Sequence, residues 1–167
     1  QNDFAERVLR ILGETGHDPR RLELEFTESI LIHDVERVLH QIRQLKAAGI
    51  GIAIDDFGTG YSSLSYLKQL DVDRLKIDRS FVRDIGSDPD DAAIVRAITQ
   101  MARSLRLKTL AEGAETSEQT RFLLAEGCEE VQGFLYSRPV DAAAFGKLYR
   151  DSGGYFSRPG TSSVASS

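Results

Sequence analysis

The 167-residue sequence lacks the features that mark several large classes of protein. It has one cysteine, Cys128, so an internal disulfide and a thiol-rich metal site are both excluded. It has no apolar run near the roughly 18 residues of a membrane span, and no basic-then-apolar leader opens it. Acidic residues outnumber basic ones, 26 to 21, which argues against a general nucleic-acid binder. We therefore expect no membrane span and no DNA partner, with the cytoplasm as the default compartment.

The sequence alternates between helical and extended patterns along most of its length. Short apolar or alternating runs predict five strands, over residues 22–27, 50–56, 74–78, 108–112 and 130–133. Helices are predicted over residues 3–15, around Leu64 to Leu70, and after caps at Asp34, at Asp90 or Asp91, at Thr116 with Gln119, and at Asp141. Strands separated by helices imply an α/β fold with a parallel sheet, either open or closed into a barrel. We assign residues 1–150 to one domain, and the Ser- and Gly-rich residues 151–167 to a disordered tail without function.

Each predicted strand ends in polar residues that a buried strand should avoid. These are Glu25 with Thr27 and Glu28, Asp55 with Asp56, Lys76 with Asp78, Glu112 with Glu115, and finally Gln132. A single acidic residue after a strand is often only a helix cap, but five consecutive strands share this pattern. In a parallel barrel the carboxyl ends of the strands converge on one face, where active sites are built. We therefore predict one polar cluster, in which Glu23 and Glu25 point together, as do Lys76 and Asp78, because residues i and i+2 share a strand face.

The chemistry of this cluster predicts a site for hard metal ions. Carboxylates that meet at a barrel mouth repel one another unless cations neutralise them, and oxygen ligands without histidine or thiolate suit Mg²⁺ or Mn²⁺. The three histidines, His17, His33 and His40, lie away from the strand ends and are interpreted as solvated. A pair of such ions with a lysine suits phosphodiester hydrolysis. An enolase-type proton abstraction uses the same residue types, and the residues alone do not separate the two reactions.

Five sequence stretches at these same positions carry a family resemblance. They read ELEFTES (23–29), DDFGTGYSSL (55–64), LKIDRSFV (75–82), AEGAET (111–116) and QGFLYSRP (132–139). In this order, within residues 3–150, they resemble the EAL-domain family of cyclic di-GMP phosphodiesterases, and the second stretch is close to diagnostic alone. The resemblance implies a TIM-like (β/α) barrel that is incomplete here and lacks the N-terminal strands, so residues 1–150 would form a partial EAL domain.

The resemblance also implies roles for individual residues. It assigns metal binding to Glu25, Asp55, Asp56 and Glu112, and catalysis to Lys76, Glu112 and Glu25. It assigns substrate binding to Gln132, Glu115, Phe134, Pro139 and Asp78. It identifies a regulatory loop of Phe57, Gly58, Thr59, Gly60, Tyr61, Ser62 and Ser63, which Glu28 anchors and which couples the site to formation of a homodimer.

The reaction that the resemblance implies is attack of water on one phosphodiester of cyclic di-GMP, a bacterial second messenger, to give linear pGpG. Two Mg²⁺ or Mn²⁺ ions would serve as cofactors. The family's Glu-Ala-Leu signature, a metal-binding asparagine and a substrate-binding arginine have no counterpart in this sequence. We therefore expect a piece of a longer protein, with upstream sensory or diguanylate-cyclase domains as are common in the family, and an isolated chain that is nearly inactive. The alternative is a non-catalytic cyclic di-GMP receptor or a degenerate interaction module.

Overall fold

The computed structural model of the chain describes residues 3–28, 35–60 and 67–151. Its helices are α1 (Phe4–Thr15), α2 (Val35–Ala47), α3 (Arg79–Arg83), α4 (Pro89–Leu105), α5 (Ser117–Ala125) and α6 (Ala142–Asp151), with a 3₁₀ turn at Pro19–Arg21. Its strands are β1 (Glu23–Thr27), β2 (Gly51–Phe57), β3 (Arg74–Ile77), β4 (Lys108–Ala111) and β5 (Glu130–Val131). All five predicted strands are confirmed. The predicted cap at Asp34, the start of the helix near Leu64 and the tail from residue 152 lie outside the described residues.

The strands form one parallel sheet in the order β1-β2-β3-β4-β5, which confirms the predicted α/β fold. Helix α2 packs on β2, α4 packs on β3 and β4, and α5 packs on β5. The residues that face these helices are apolar and nearly fully buried; they include Ile52, Ile54, Leu75 and Ile77. Because side chains alternate along a strand, the neighbouring residues point to the other, concave face of the sheet. Within the described residues the sheet does not close on itself, as expected for an incomplete barrel.

The concave face carries charged side chains at both ends of the strands. At the amino-terminal end, the Arg74 guanidinium on β3 lies 3.4 Å from Glu23 on β1 and 2.8 Å from Glu130 on β5. One side chain of the central strand therefore reaches both edge strands, which shows that the sheet is strongly curved. Next to this group, Asp73 accepts hydrogen bonds from the Lys46 ammonium at 2.5 Å and from the Ile52 backbone N–H at 2.8 Å. These contacts fasten the turn before β3 to α2 and β2.

The helix caps agree with the sequence at most positions, and one cap was wrongly predicted. Thr116 and Gln119 form the predicted capping box of α5, and the Asp141 carboxylate accepts from the Ala144 N–H at the start of α6. The cap of α4 is Asp88, whereas Asp90 or Asp91 was predicted. Pro89 occupies the first position of the helix, where a residue without an N–H is preferred, and this fixes the cap one residue before it.

No helix within residues 3–28, 35–60 and 67–151 is long and apolar enough to cross a membrane.

Candidate functional site

The Lys76 ammonium lies at the centre of the polar residues at the carboxyl ends of the strands. Its Nζ atom is 2.7 Å from Glu25 Oε2, 2.9 Å from Asp55 Oδ1 and 2.8 Å from Glu112 Oε1. Glu25 lies on β1, Asp55 on β2 and Lys76 on β3, and Glu112 directly follows β4. The parallel register and the curvature of the sheet bring these four side chains together on the concave face. The predicted convergence is therefore present in the structure.

The pKa of Lys76 reflects burial on one side and these three contacts on the other. Only 6% of its side chain is exposed, and burial by itself would lower the pKa of an ammonium group. Hydrogen bonds to Glu112, Glu25 and Asp55 outweigh burial, so the pKa of Lys76 is raised above its usual value. Lys76 is therefore a fixed cation at neutral pH rather than a proton donor.

A second carboxylate contact joins Asp56 to Asp78. Asp56 has a left-handed backbone with φ of 54°, and the β2–β3 register shifts between Ile54 and Phe57. Partial burial, the nearby charge of Asp55 and a hydrogen bond with Asp78 raise the pKa of Asp56. Burial also opposes the ionisation of Asp78, but hydrogen bonds from Ser80 and from Asp56 lower its pKa. The two carboxyl groups of this contact therefore differ, with the pKa of Asp56 shifted up and that of Asp78 shifted down.

The donor chemistry suits a hard divalent cation, but the predicted ligand set is not assembled. Among the described residues, no three His, Cys, Asp or Glu side chains are arranged to hold a metal ion. Three of the four carboxylates predicted to bind metal, Glu25, Asp55 and Glu112, contact Lys76 instead. A cation at this site would have to share them with the ammonium. The predicted metal roles of these residues therefore stay predictions.

The buried carboxylate of Glu28 joins the end of β1 to the loop after β2. It is 2% exposed, and its Oε2 atom accepts from the backbone N–H groups of Gly58 at 2.9 Å and Gly60 at 3.2 Å. Gly58 has a φ of +102°, and a Cβ atom there would lie 2.9 Å from the Phe81 ring. Only glycine fits at that position. Within the predicted regulatory loop the structure thus describes Phe57, Gly58, Thr59 and Gly60, and Tyr61, Ser62 and Ser63 lie outside the described residues.

The residues predicted to bind substrate are exposed, apart from Asp78. They are Gln132, Glu115, Phe134 and Pro139. Asp78 is half-buried and caps α3, where it accepts from the backbone N–H and the hydroxyl group of Ser80. The Phe134 ring is 49% exposed, and the Arg138 guanidinium lies 4.6 Å from its centroid.

Several contacts of the site were not foreseen from the sequence. The hydroxyl of Ser80 donates to Asp78, a contact that the spacing of an N-cap and the residue two positions later could have revealed. The guanidinium of Arg138 over Phe134 has no comparable local signal, because it depends on the conformation of the turn. His17 and His40 are exposed and Cys128 is buried, as predicted, whereas His33 lies outside the described residues.

Comparison with known proteins places these features in a family. The model of the EAL domain family matches residues 1–139. The bifunctional diguanylate cyclase/cyclic di-GMP phosphodiesterase MucR of Pseudomonas aeruginosa is 53% identical over 139 residues, which is 83% of this chain and 20% of MucR. The chain thus spans about a fifth of the length of this curated relative.

Solved structures are similar in fold as well as in sequence. A structure described as PaMucR phosphodiesterase in complex with c-di-GMP has a TM-score of 0.83 and 48% identity, over 86% of this chain and 58% of that one. A Klebsiella pneumoniae BlrP1 structure, a manganese and cy-diGMP complex, has a TM-score of 0.76 and 35% identity, over 83% of this chain and 36% of that one. The likeness to EAL structures confirms an incomplete TIM-like barrel. The chain belongs to the EAL domain family.

Proposed function

We propose that this chain forms part of a phosphodiesterase that hydrolyses cyclic di-GMP to linear pGpG in bacterial second-messenger signalling. The observation that carries the proposal is the group of Lys76, Glu25, Asp55 and Glu112, which the strands bring together on one face. Active sites of parallel barrels lie at this end of the strands. The relatives support the substrate, since MucR carries this activity in its name and a solved relative is a complex with c-di-GMP.

A divalent cation, Mg²⁺ or Mn²⁺, is proposed as the cofactor, with two ions in the complete site. The support is the oxygen-only donor set, the three carboxylates that surround a single ammonium, and a solved relative that contains manganese. The chemistry that such a cation supplies is Lewis-acid activation of water and phosphate. Glu25, Asp55, Asp56 and Glu112 are the residues that would hold it.

Other residues of this chain would take part in catalysis and in substrate binding. Lys76, a fixed cation, would orient the attacking water and stabilise negative charge that develops on the phosphate. Asp78 and Glu115 would contact the nucleotide near the reacting phosphate, with Gln132. Phe134 and Pro139 would pack near a guanine base, for which the exposed Phe134 ring offers an apolar surface.

The wider context of the chain is likewise proposed. MucR is several times longer than this chain, so neighbouring sensory or cyclase domains fit the family, and we propose a cytoplasmic site of action. We propose a homodimer coupled through residues 57–63. Because the chain matches 58% of the solved PaMucR chain, we expect the isolated polypeptide to turn over little or no substrate.

A second candidate is a receptor that binds cyclic di-GMP without cutting it. The observation that favours it is the engagement of Glu25, Asp55 and Glu112 by Lys76, with no ligand set assembled among the described residues.

One experiment separates the two candidates. The natural-length protein is incubated with cyclic di-GMP and Mn²⁺ or Mg²⁺, its product is followed by chromatography, and nucleotide binding is measured by calorimetry. The 167-residue chain is assayed beside it. Hydrolysis that Lys76→Met abolishes and that the exposed surface variant Arg121→Ala keeps is the expected result. Binding without hydrolysis supports the receptor, and absence of both overturns the proposed function.

A further inference from the structure

Lys76 contacts three of the four carboxylates that are proposed to bind metal. Its ammonium contacts Glu25, Asp55 and Glu112 at 2.7 to 2.9 Å, and its side chain is 6% exposed. These three carboxylates are the same ones that a divalent cation would use.

The positive and negative charges around Lys76 do not balance. One ammonium faces three carboxylates, so this group is left with a net negative charge. If the ammonium were removed, the three partly buried carboxylates would repel one another with no counter-ion. The same removal would free them for a cation from solution, which has access because the side chains of Asp55 and Glu112 are 22% and 23% exposed.

We propose that the Lys76 ammonium is an internal counter-ion that competes with a divalent cation for Glu25, Asp55 and Glu112. Lys76 thereby holds the metal-free site together and lowers its affinity for metal. This inference rests on the proposed metal-dependent function, but it concerns the binding of metal and not the reaction. In the family resemblance Lys76 is a catalytic residue, and the counter-ion role is additional to that.

The test is a titration with Mn²⁺ alone, in the absence of nucleotide. Calorimetry is performed on the wild-type chain, on Lys76→Met, which replaces the aliphatic part of the side chain and removes its charge, and on Lys76→Arg, which keeps the charge. We expect Lys76→Met to bind Mn²⁺ about tenfold or more tightly than wild type, a change well resolved by calorimetry. Lys76→Arg should stay within about threefold of wild type, because it remains a cation. An affinity of folded Lys76→Met that is equal to or weaker than that of wild type overturns the proposal.

Thermal unfolding gives a second measurement. In EDTA, Lys76→Met should unfold at a lower temperature than wild type, and Mn²⁺ should raise its Tm by more than it raises that of wild type. If Lys76→Met is unfolded in EDTA, competition requires that Mn²⁺ restore its helical circular dichroism, and failure to do so overturns the proposal. Binding by Lys76→Met when wild type binds no Mn²⁺ supports it, and absence of binding by both overturns it. Neither the calorimetry nor the thermal unfolding uses nucleotide. Their results therefore test this proposal even if the protein does not hydrolyse cyclic di-GMP.

Discussion

Glu28 links the end of β1 to the loop after β2, and its replacement tests how that link contributes to stability. Its carboxylate is 2% exposed, and a single oxygen, Oε2, accepts from the backbone N–H groups of both Gly58 and Gly60. We compare Glu28→Ala, which removes the acceptor, with Glu28→Gln, which keeps a neutral one. A glutamine carbonyl oxygen in the position of Oε2 could accept both hydrogen bonds.

The magnitude follows from these contacts. A hydrogen bond to a charged acceptor contributes about 1.5–3 kcal/mol to stability. Gly58 and Gly60 are exposed, so water replaces part of what Glu28→Ala removes, and the two contributions do not simply add. We therefore expect Glu28→Ala to lower the free energy of unfolding by about 2–3 kcal/mol, and Glu28→Gln by about 1 kcal/mol, since the shared acceptor is kept while the charge is lost.

Urea denaturation at pH 7, followed by circular dichroism, measures both changes as shifts of the unfolding midpoint at constant m-value. Glu14→Gln is the matched control, because Glu14 pairs with Arg10 on the surface of α1 and should cost less than about 0.5 kcal/mol. The reasoning is refuted if Glu28→Ala stays within that same range. It is equally refuted if Glu28→Gln costs as much as Glu28→Ala, since the shared oxygen would then not be the source of the effect.

Two further predictions concern the core of the domain. Gly133→Ala would place a methyl group against the backbone O and N atoms of Ala114, so we expect a loss of about 3 kcal/mol or more in urea denaturation, whereas Gly13→Ala, in open space on α1, should gain about 0.5–1 kcal/mol. Burial raises the pKa of the Cys128 thiol above 9.0, so labelling by a thiol reagent between pH 7 and 9 should be slow until urea unfolds the chain. Because the folded pKa is the higher one, this thiol favours folding below pH 9.0 and loses that effect as the pH rises further; fast labelling of the folded chain would contradict the prediction.

Much of the site could be predicted because strand geometry constrains where polar side chains meet. Glu25 and Lys76 each lie within two residues of the carboxyl end of a short strand, and the carboxyl ends of parallel strands lie on one side of a barrel. The period of two also predicted correctly that Glu23 and Glu25 share a face, since both bind cations of β3. The same period predicted that Lys76 and Asp78 point together. That prediction was less informative, because Asp78 follows the end of β3, caps α3 and contacts Asp56.

What could not be predicted depends on curvature and on competition between neighbouring side chains. No spacing in the sequence shows that one ammonium can reach β1, β2 and the end of β4 at once. Carboxylates that suggest a metal site in the sequence can equally surround a lysine, and only the distances decide between the two. The cap of α4 was a different kind of error, because Pro89 gave a sufficient signal for Asp88.

The concave face carries two groups in which carboxylates surround one cation. The two groups differ in net charge, and this difference indicates which of them forms the functional site. At the amino-terminal ends of the strands, Arg74 is held between two carboxylates, Glu23 and Glu130, from the two edge strands. Two residues further along β3, Lys76 is held by three carboxylates, and Asp56 beside them has a raised pKa. The group around Arg74 has less excess negative charge, and its ion pairs stabilise the curved sheet. The group around Lys76 has more negative charge than its own cation neutralises, and this excess is what a divalent ion or a cation-bound phosphate would require.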